Sequence, residues 1–372
     1  MPDILRCCFS FAKLFTMNNI RSKVLQWIVV LILLLLGYVM IYNQSAVLNF
    51  KSFFNLVWAN KNSRRLSIFQ FRKYLADSSI GSLNINFSSS HRNTTLCPII
   101  PPGLVGSITI NRDILSYKAI EDKNRELQPG GCYSPSNCTP RHHVAILIPY
   151  RDRQSHLKLF LQNIHPFLRK QQLDYGIFVI ELVSDVKFNR AMLFNIGFVE
   201  ALKLHNYNCF IFHDVDLIPE NDLNLYTCSE RPRHMSVAID KMKYRLPYNQ
   251  LFGGVSAMTK EQFETVNGFS NSYFGWGGED DDMYNRIAHN KMSIIRYSSE
   301  VARYKMMSHA KESPNPVRGT LLKDGQKRFK IDGLNSLQYE VLQVTRRKLF
   351  TWILVNINEK AVKDAIEAAM KL

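Results

Sequence analysis

The stretch CFIFHDVD, residues 209–216, decides the fold. Its first half is a short apolar run of strand-forming residues, and it ends in two acids two positions apart, Asp214 and Asp216. Alternate residues of an extended chain share a side, so both carboxylates leave the end of the strand in the same direction. Immediately upstream, NRAMLFNIGFVEALKLH (189–205) has helical spacing, and YGIFVIELV (175–183) before it is another apolar strand run. Further back, SHLKLFLQNIHPFLRK (155–170) places Leu157, Phe160, Leu161, Ile164 and Leu168 on one helical face, and VAILIPY (144–150) is a buried-strand run. This β-α-β-α-β alternation predicts an α/β domain with a mostly parallel central sheet flanked by helices, joined by right-handed crossovers. No G-x-G-x-x-G follows the first strand, which argues against a dinucleotide-binding domain. Ligands of such sheets bind beyond the carboxyl ends of the strands, so PYRDR (149–153) and HDVD (213–216) are site candidates by position.

The 372 residues, 46% of them apolar, suffice for a large core plus accessory segments. Val24–Tyr42 is an uncharged run long enough to cross a bilayer as a helix, and Arg6, Lys13, Arg21 and Lys23 precede it. Positive charge on that flank predicts a retained type II anchor: a cytosolic tail at 1–23, a span at 24–42, and everything beyond in a lumen. A cleaved signal peptide fits less well, because no small-residue cleavage site follows. Residues 43–96, rich in Ser, Asn, Lys and Arg, read as a stem, leaving 97–372 as the lumenal domain. The net charge of +16 is scattered and no nucleic-acid motif is present; a basic lumenal surface suits anionic nucleotide diphosphates instead. Of seven cysteines, Cys97, Cys132, Cys138, Cys209 and Cys228 follow the span, enough for two internal disulfides with one left over, although spacing does not choose the pairs. Asn43, Asn86, Asn93 and Asn137 each begin an N-x-Ser/Thr sequon, as expected of a secretory-pathway protein.

Asp214 and Asp216 together call for a cation, and hard oxygen ligands suit Mg²⁺ or Mn²⁺ bridging a diphosphate. Arg151 and Arg153 follow a strand and Arg190 opens a helix, positions where anions are held. Met306 and His309 in YKMMSHAKESPNP, taken alone, read as a core methionine and a hydrogen-bonded histidine. In FGWGGEDDDMYNR (274–286), an acidic first helical turn with Asp282 paired to Arg286 explains one or two of the four carboxylates. The glycines let Trp276 swing, and its indole can stack on a sugar. The four acids then read as acceptors for sugar hydroxyls, one of them with a raised pKa serving as base.

Together, and in this order, IPYRDR, QQLDYGIFVIE, FNRAMLFNIGF, FHDVDLIPENDLNLYTC, LPYNQLFGGVSAM, NGFSNSYFGWGGEDDD and MMSHAKESPNPVR resemble the β-1,4-galactosyltransferase family (glycosyltransferase family 7) of type II Golgi enzymes, which includes β-1,4-N-acetylgalactosaminyltransferases. The likeness runs from about Cys97 to about Arg318. It implies a GT-A type fold, Mn²⁺, a UDP-sugar donor, an N-acetylglucosamine acceptor, inversion at the anomeric carbon and a Golgi-membrane location. Residue by residue, it implies Asp216, Met306 and His309 as metal ligands, which replaces the plain readings of the last two. Pro149, Tyr150, Arg151, Arg153, Arg190, Asp214, Lys241, Trp276 and Glu279 would hold the donor, Asp280 would be the catalytic base, and Asp281 with Gly278 would bind the acceptor. Disulfides Cys97–Cys138 and Cys209–Cys228 follow from the same likeness, and closure of the Trp276 loop with the segment 310–325 would exclude water.

Two departures stand out. Leu251 occupies the position before FGGVSA where vertebrate galactosyltransferases of the family usually carry tyrosine. Lacking the ring and hydroxyl, it leaves room for an N-acetyl group at the donor's C2, so UDP-GalNAc is the expected donor and UDP-Gal the alternative, as in invertebrate members with Ile or Leu there. The segment AKESPNP is shorter than in many relatives. A membrane-tethered sugar-binding protein without catalysis and a metal-dependent phosphohydrolase are the rival classes; a homodimer is one assembly open to the chain.

Overall fold

The computed structural model describes residues 95–183, 186–310 and 313–371. The tail, the apolar run 24–42, most of the stem and the sequons at Asn43, Asn86 and Asn93 lie outside the described residues, whereas Asn137 is exposed at the surface. Among the described residues no helix is long and apolar enough to cross a membrane.

A short helix α1 (Tyr117–Lys123) precedes strand β1 (His143–Tyr150). Helix α2 (Gln154–Lys170), strand β2 (Asp174–Leu182), helix α3 (Arg190–Leu204) and strand β3 (Cys209–His213) complete the alternation expected from the sequence. Leu157, Phe160, Leu161, Ile164 and Leu168 of α2 are all buried, as their spacing requires. There follow β4 (Leu217–Pro219), β5 (Arg233–His234), β6 (Ala238–Ile239), β7 (Val255–Thr259), helix α4 (Lys260–Thr265), helix α5 (Glu279–His289) and β8 (Arg303–Met306). Two short helices, α6 (Arg318–Lys323) and α7 (Gly325–Arg328), lead to β9 (Glu340–Arg346), β10 (Thr351–Asn356) and α8 (Glu359–Met370).

The main sheet has seven strands in the order β5-β7-β3-β1-β2-β10-β9. Only its centre is parallel: β1 pairs in parallel with β2 and β3, and β10 with β2. The flanking pairs β10·β9, β3·β7 and β5·β7 are antiparallel, so the sheet is mixed rather than mostly parallel. Both faces of the centre are covered. One core packs α2 against Ile146, Ile148, Ile177 and Val179; the other packs α3 and α5 against Leu147, Phe178, Phe210 and Phe212. The apolar segment KLFTWILVNI supplies β10, with Thr351, Ile353 and Val355 buried.

A second, three-stranded sheet, β4-β8-β6, stands beside the carboxyl end of β3. Its register sets Met306 opposite Leu217, the residue after Asp216, and Met307 N donates to Asp216 O at 2.8 Å. Disulfides join Cys97 to Cys138 and Cys209 to Cys228, the pairs implied by the family resemblance, and Cys132 is a free thiol.

Candidate active site

The carboxyl ends of β1 and β3, the turn before β7 and the start of α5 surround a cavity of about 890 Å³. Pro149, Arg151, Arg153, Arg190, Asp214, Asp216, Leu251, Trp276, Gly278, Glu279, Asp280, Asp281, Met306 and His309 all line it. The exit from β1 is a backbone irregularity: Asp152 has a φ of 51°, a left-handed conformation that few non-glycine residues adopt. It turns the chain between Arg151 and Arg153, whose neighbour Gln154 opens α2. The Arg151 guanidinium donates to Val186 O at 2.6 Å and lies over the Phe188 ring, which also faces the cavity.

Arg190 is the first residue of α3, held there by the Asn189 side chain capping the helix. Its Nε donates to Asp214 at 2.5 Å, and Nη1 lies 3.4 Å from Glu279. Burial favours loss of the Arg190 proton, but Asp214 and Glu279 more than compensate and raise its pKa. The guanidinium is therefore a permanent positive charge on the cavity floor. Burial, and then the neighbouring Asp280, push the Glu279 carboxyl up to about 7 in spite of Arg190. Asp280 is also raised, first by burial and next by Asp281, against the pull of Arg190.

Asp280 fits because Gly253 opposite has no side chain: a Cβ there would stand 2.4 Å from Asp280 Oδ2. Asp281 accepts a hydrogen bond from Tyr248 Oη at 2.8 Å. Asp282 leaves the cluster. It is fully buried on the far side of α5, where Arg286 Nε donates to it at 2.7 Å. Of the four consecutive acids, only three face the cavity, and the helical i, i+4 pairing expected for Asp282 explains the fourth.

On the opposite wall, His309 Nε2 lies 3.0 Å from Asp216 Oδ2. His309 Nδ1 lies 2.7 Å from Ala310 O, a carbonyl that can only accept, so the proton of a neutral ring belongs on Nδ1. The Nε2 lone pair then faces a carboxylate oxygen, an arrangement of two acceptors that asks for a cation between them. With the Met306 thioether lining the same cavity, carboxylate, imidazole and thioether form a donor set that accommodates a divalent metal.

Trp276 is 60% exposed at the cavity mouth. Gly275, Gly277 and Gly278 around it all have positive φ, and at Gly278 a Cβ would also meet the Tyr273 ring at 2.9 Å. The Trp276 backbone donates to Ser313 O and accepts from Asn315 N, at 3.1 and 2.9 Å, which ties this loop to the segment after His309. Arg318 sits over the Trp276 ring at 5.8 Å.

Two expected donor contacts lie elsewhere. Tyr150 follows Pro149 on β1 and so faces the opposite side of the strand, in the core under α2, where burial pushes its hydroxyl up to about 12. Lys241 does not line the cavity; its Nζ donates to Met307 O at 2.9 Å, which props the chain carrying the metal-type ligands. Tyr248 and Arg318 were not singled out from sequence. Both lie within stretches that carried the family resemblance, but their partners Asp281 and Trp276 are distant in sequence.

Comparison with known proteins agrees with this geometry. Residues 97–229 match the model of the N-terminal region of glycosyl transferase group 7, and residues 233–310 match one described as the N-terminal domain of galactosyltransferase. The chain is 49% identical over 284 residues to β-1,4-galactosyltransferase 1 of Mus musculus, covering 75% of this chain and 71% of the relative. It is 50% identical over 265 residues to the Homo sapiens protein of the same name, covering 70% and 67%. Among solved structures, the catalytic domain of Drosophila β-1,4-galactosyltransferase 7 in complex with xylobiose is similar, with a TM-score of 0.52 at 28% identity over 58% of this chain and 94% of that one. A mutant of that enzyme in complex with manganese, UDP-Gal and xylobiose aligns with a TM-score of 0.51 at 27% identity, over the same shares of the two chains.

Proposed function

Because the chain belongs to the β-1,4-galactosyltransferase family and is a glycosyltransferase of GT-A type, we propose that it transfers galactose from UDP-galactose to the 4-hydroxyl of a terminal N-acetylglucosamine, with inversion. The observation that carries the reading is the single cavity in which Arg190, Asp214, Glu279, Asp280 and Asp281 meet Asp216, Met306 and His309. The manganese and UDP-Gal held by the Drosophila relative support the choice of cofactor and donor.

Asp216, Met306 and His309 would hold Mn²⁺, whose contribution when bound is to neutralise charge on the nucleotide diphosphate. Arg151, Arg153 and Arg190 surround that end with fixed positive charge, and Pro149 borders the base. Asp214 and Glu279, oriented by Arg190, accept hydrogen bonds from the donor's hydroxyls. Asp280 takes the proton of the acceptor's 4-hydroxyl as that oxygen bonds to the anomeric carbon and the bond to UDP breaks. Its raised pKa makes it a stronger base than an ordinary aspartate. Asp281, positioned by Tyr248, holds the acceptor, and Trp276 covers the sugars when its loop moves with residues 313–315.

A second reading, transfer of N-acetylgalactosamine, is favoured by Leu251. It lines the cavity two residues from Gly253, on which Asp280 rests, and offers an aliphatic wall where a tyrosine would crowd an acetyl group. Two disulfides and the exposed sequon residue Asn137 fit an oxidising lumenal compartment, with the 24–42 run as the Golgi-membrane anchor.

The test compares UDP-Gal with UDP-GalNAc by kcat/KM, using Mn²⁺ and a β-N-acetylglucosaminide acceptor. A preference for UDP-Gal supports the main reading. A preference for UDP-GalNAc that Leu251→Tyr reverses by about tenfold or more, the scale of one pocket contact, establishes the second. UDP release that does not depend on acceptor identifies a hydrolase, and binding without release identifies a lectin-like protein; either sinks both readings.

A further inference from the structure

We propose that the opposite end of the sheet carries a second metal site, for a zinc-type transition ion, formed by His143, Asp174 and His205. One ligand atom from each lies within 4.8 Å of the others. His143 and Asp174 open the neighbouring parallel strands β1 and β2 and are register partners, and His205 caps the C-terminus of α3. The site therefore sits where the parallel strands begin, whereas the catalytic cavity lies where they end. The rise along β1 from His143 to Tyr150 separates the two ends by roughly 23 Å at about 3.3 Å per residue step.

Three features suit a metal better than a plain ion pair. His143 Nδ1 is shielded from solvent and makes no hydrogen bond, although Asp174 Oδ2 lies 3.2 Å away. That separation is close to the edge of a tetrahedron with zinc bonds of about 2 Å. The His143 and His205 rings stand edge to face with centroids 5.0 Å apart, a contact that brings the second imidazole to the same point. The frame is also fixed: His143 N donates to Asn208 Oδ1 and Asn208 N donates to His143 O, at 3.0 and 3.1 Å, while the Tyr207 ring packs on His205 with centroids 5.0 Å apart. Two imidazoles and one carboxylate favour zinc, nickel or copper over the manganese or magnesium that oxygen-rich sites select. The partial exposure of His143 and Asp174, with His205 at the surface, leaves room for water as a further ligand.

Zinc binding by the purified full-length chain, with the catalytic cavity saturated by Mn²⁺ and UDP, is measured by competition with a chromophoric chelator. We expect one zinc equivalent, retained in His309→Ala, and weakened at least about tenfold in His205→Asn and in the double variant His143→Asn/His205→Asn. Mn²⁺-dependent transferase activity of the His205→Asn chain, whose substitution lies at the surface, stays within about twofold of native and shows that it is folded. As a second readout, visible absorption of the Co²⁺-loaded native chain changes in His205→Asn. The proposal is overturned if the native chain takes up no zinc under these conditions, if His205→Asn binds zinc as the native chain does, or if His309→Ala abolishes binding.

Discussion

Gly253 is defined by what it lacks. A methyl group there meets only the Asp280 side chain among its nearest neighbours, so Gly253→Ala strains no backbone and displaces one carboxylate. The expected result is a kcat about 100-fold lower, the effect of misplacing a reacting group by about an ångström, with a near-native melting temperature. Glu279 gives a result of opposite character. Its carboxyl is pushed up to about 7, so the folded chain binds this proton more tightly than the unfolded chain does. The penalty for ionising it grows as pH rises from about 4.5 to about 7 and is relieved in acid. Glu279→Gln, assayed without metal or donor, should raise the melting temperature by about 2–4 °C at about pH 8 and by less at about pH 5, while weakening donor use. A gain over native no larger at the higher pH than at the lower contradicts the assignment. Such a residue is costly to the fold and kept by the site.

At the scale of elements, helix α5 separates function from support. Its first turn gives Glu279, Asp280 and Asp281 to the cavity, and Asp282 with Arg286 anchors the helix in the interior. Asp282→Ala leaves Arg286 buried with no carboxylate on its Nε, so urea unfolding should show a loss of about 3–5 kcal/mol. Asp281→Asn, on the cavity side, should cost little stability and raise the acceptor KM instead. The sequence made much of this legible. Strands β1, β2 and β3 show as continuous apolar runs because both of their faces are buried, the helices between them show by helical spacing, and the apolar run KLFTWILVNI carries the same kind of signal for β10. The small sheet β4-β8-β6 was not readable, because strands of two to four residues are too short to show a period. The antiparallel edges also escaped notice, since pairing direction is set by connections rather than by composition. At the site, residue identity exposed Arg190, Asp214 and Asp216, whereas the partnership of Tyr248 with Asp281 exists only after folding. Tyr150 and Lys241 are donor contacts by likeness; strand alternation turns Tyr150 into the core, and Lys241 donates to Met307 O beside the metal-type ligands.

For the whole molecule, one disulfide joins two segments that precede β1 and the other ties a loop to the sheet. Cys209 starts β3, and its link to Cys228 closes a loop with a sequence separation of 19, so Cys209→Ala/Cys228→Ala should lower stability by about 3 kcal/mol in denaturant unfolding, with the sheet intact. A change below about 1 kcal/mol would show that the loop is already fixed by its other contacts. The placement of β10 has a different kind of consequence, one of timing. It inserts between β2 and β9 although it follows β2 by most of the domain's length. During synthesis β2 therefore waits with one flank unpaired, an apolar template to which any other extended chain can add. A message that stops before Thr351 would leave that flank open permanently, making its product a target for chaperones and degradation rather than merely a slower enzyme.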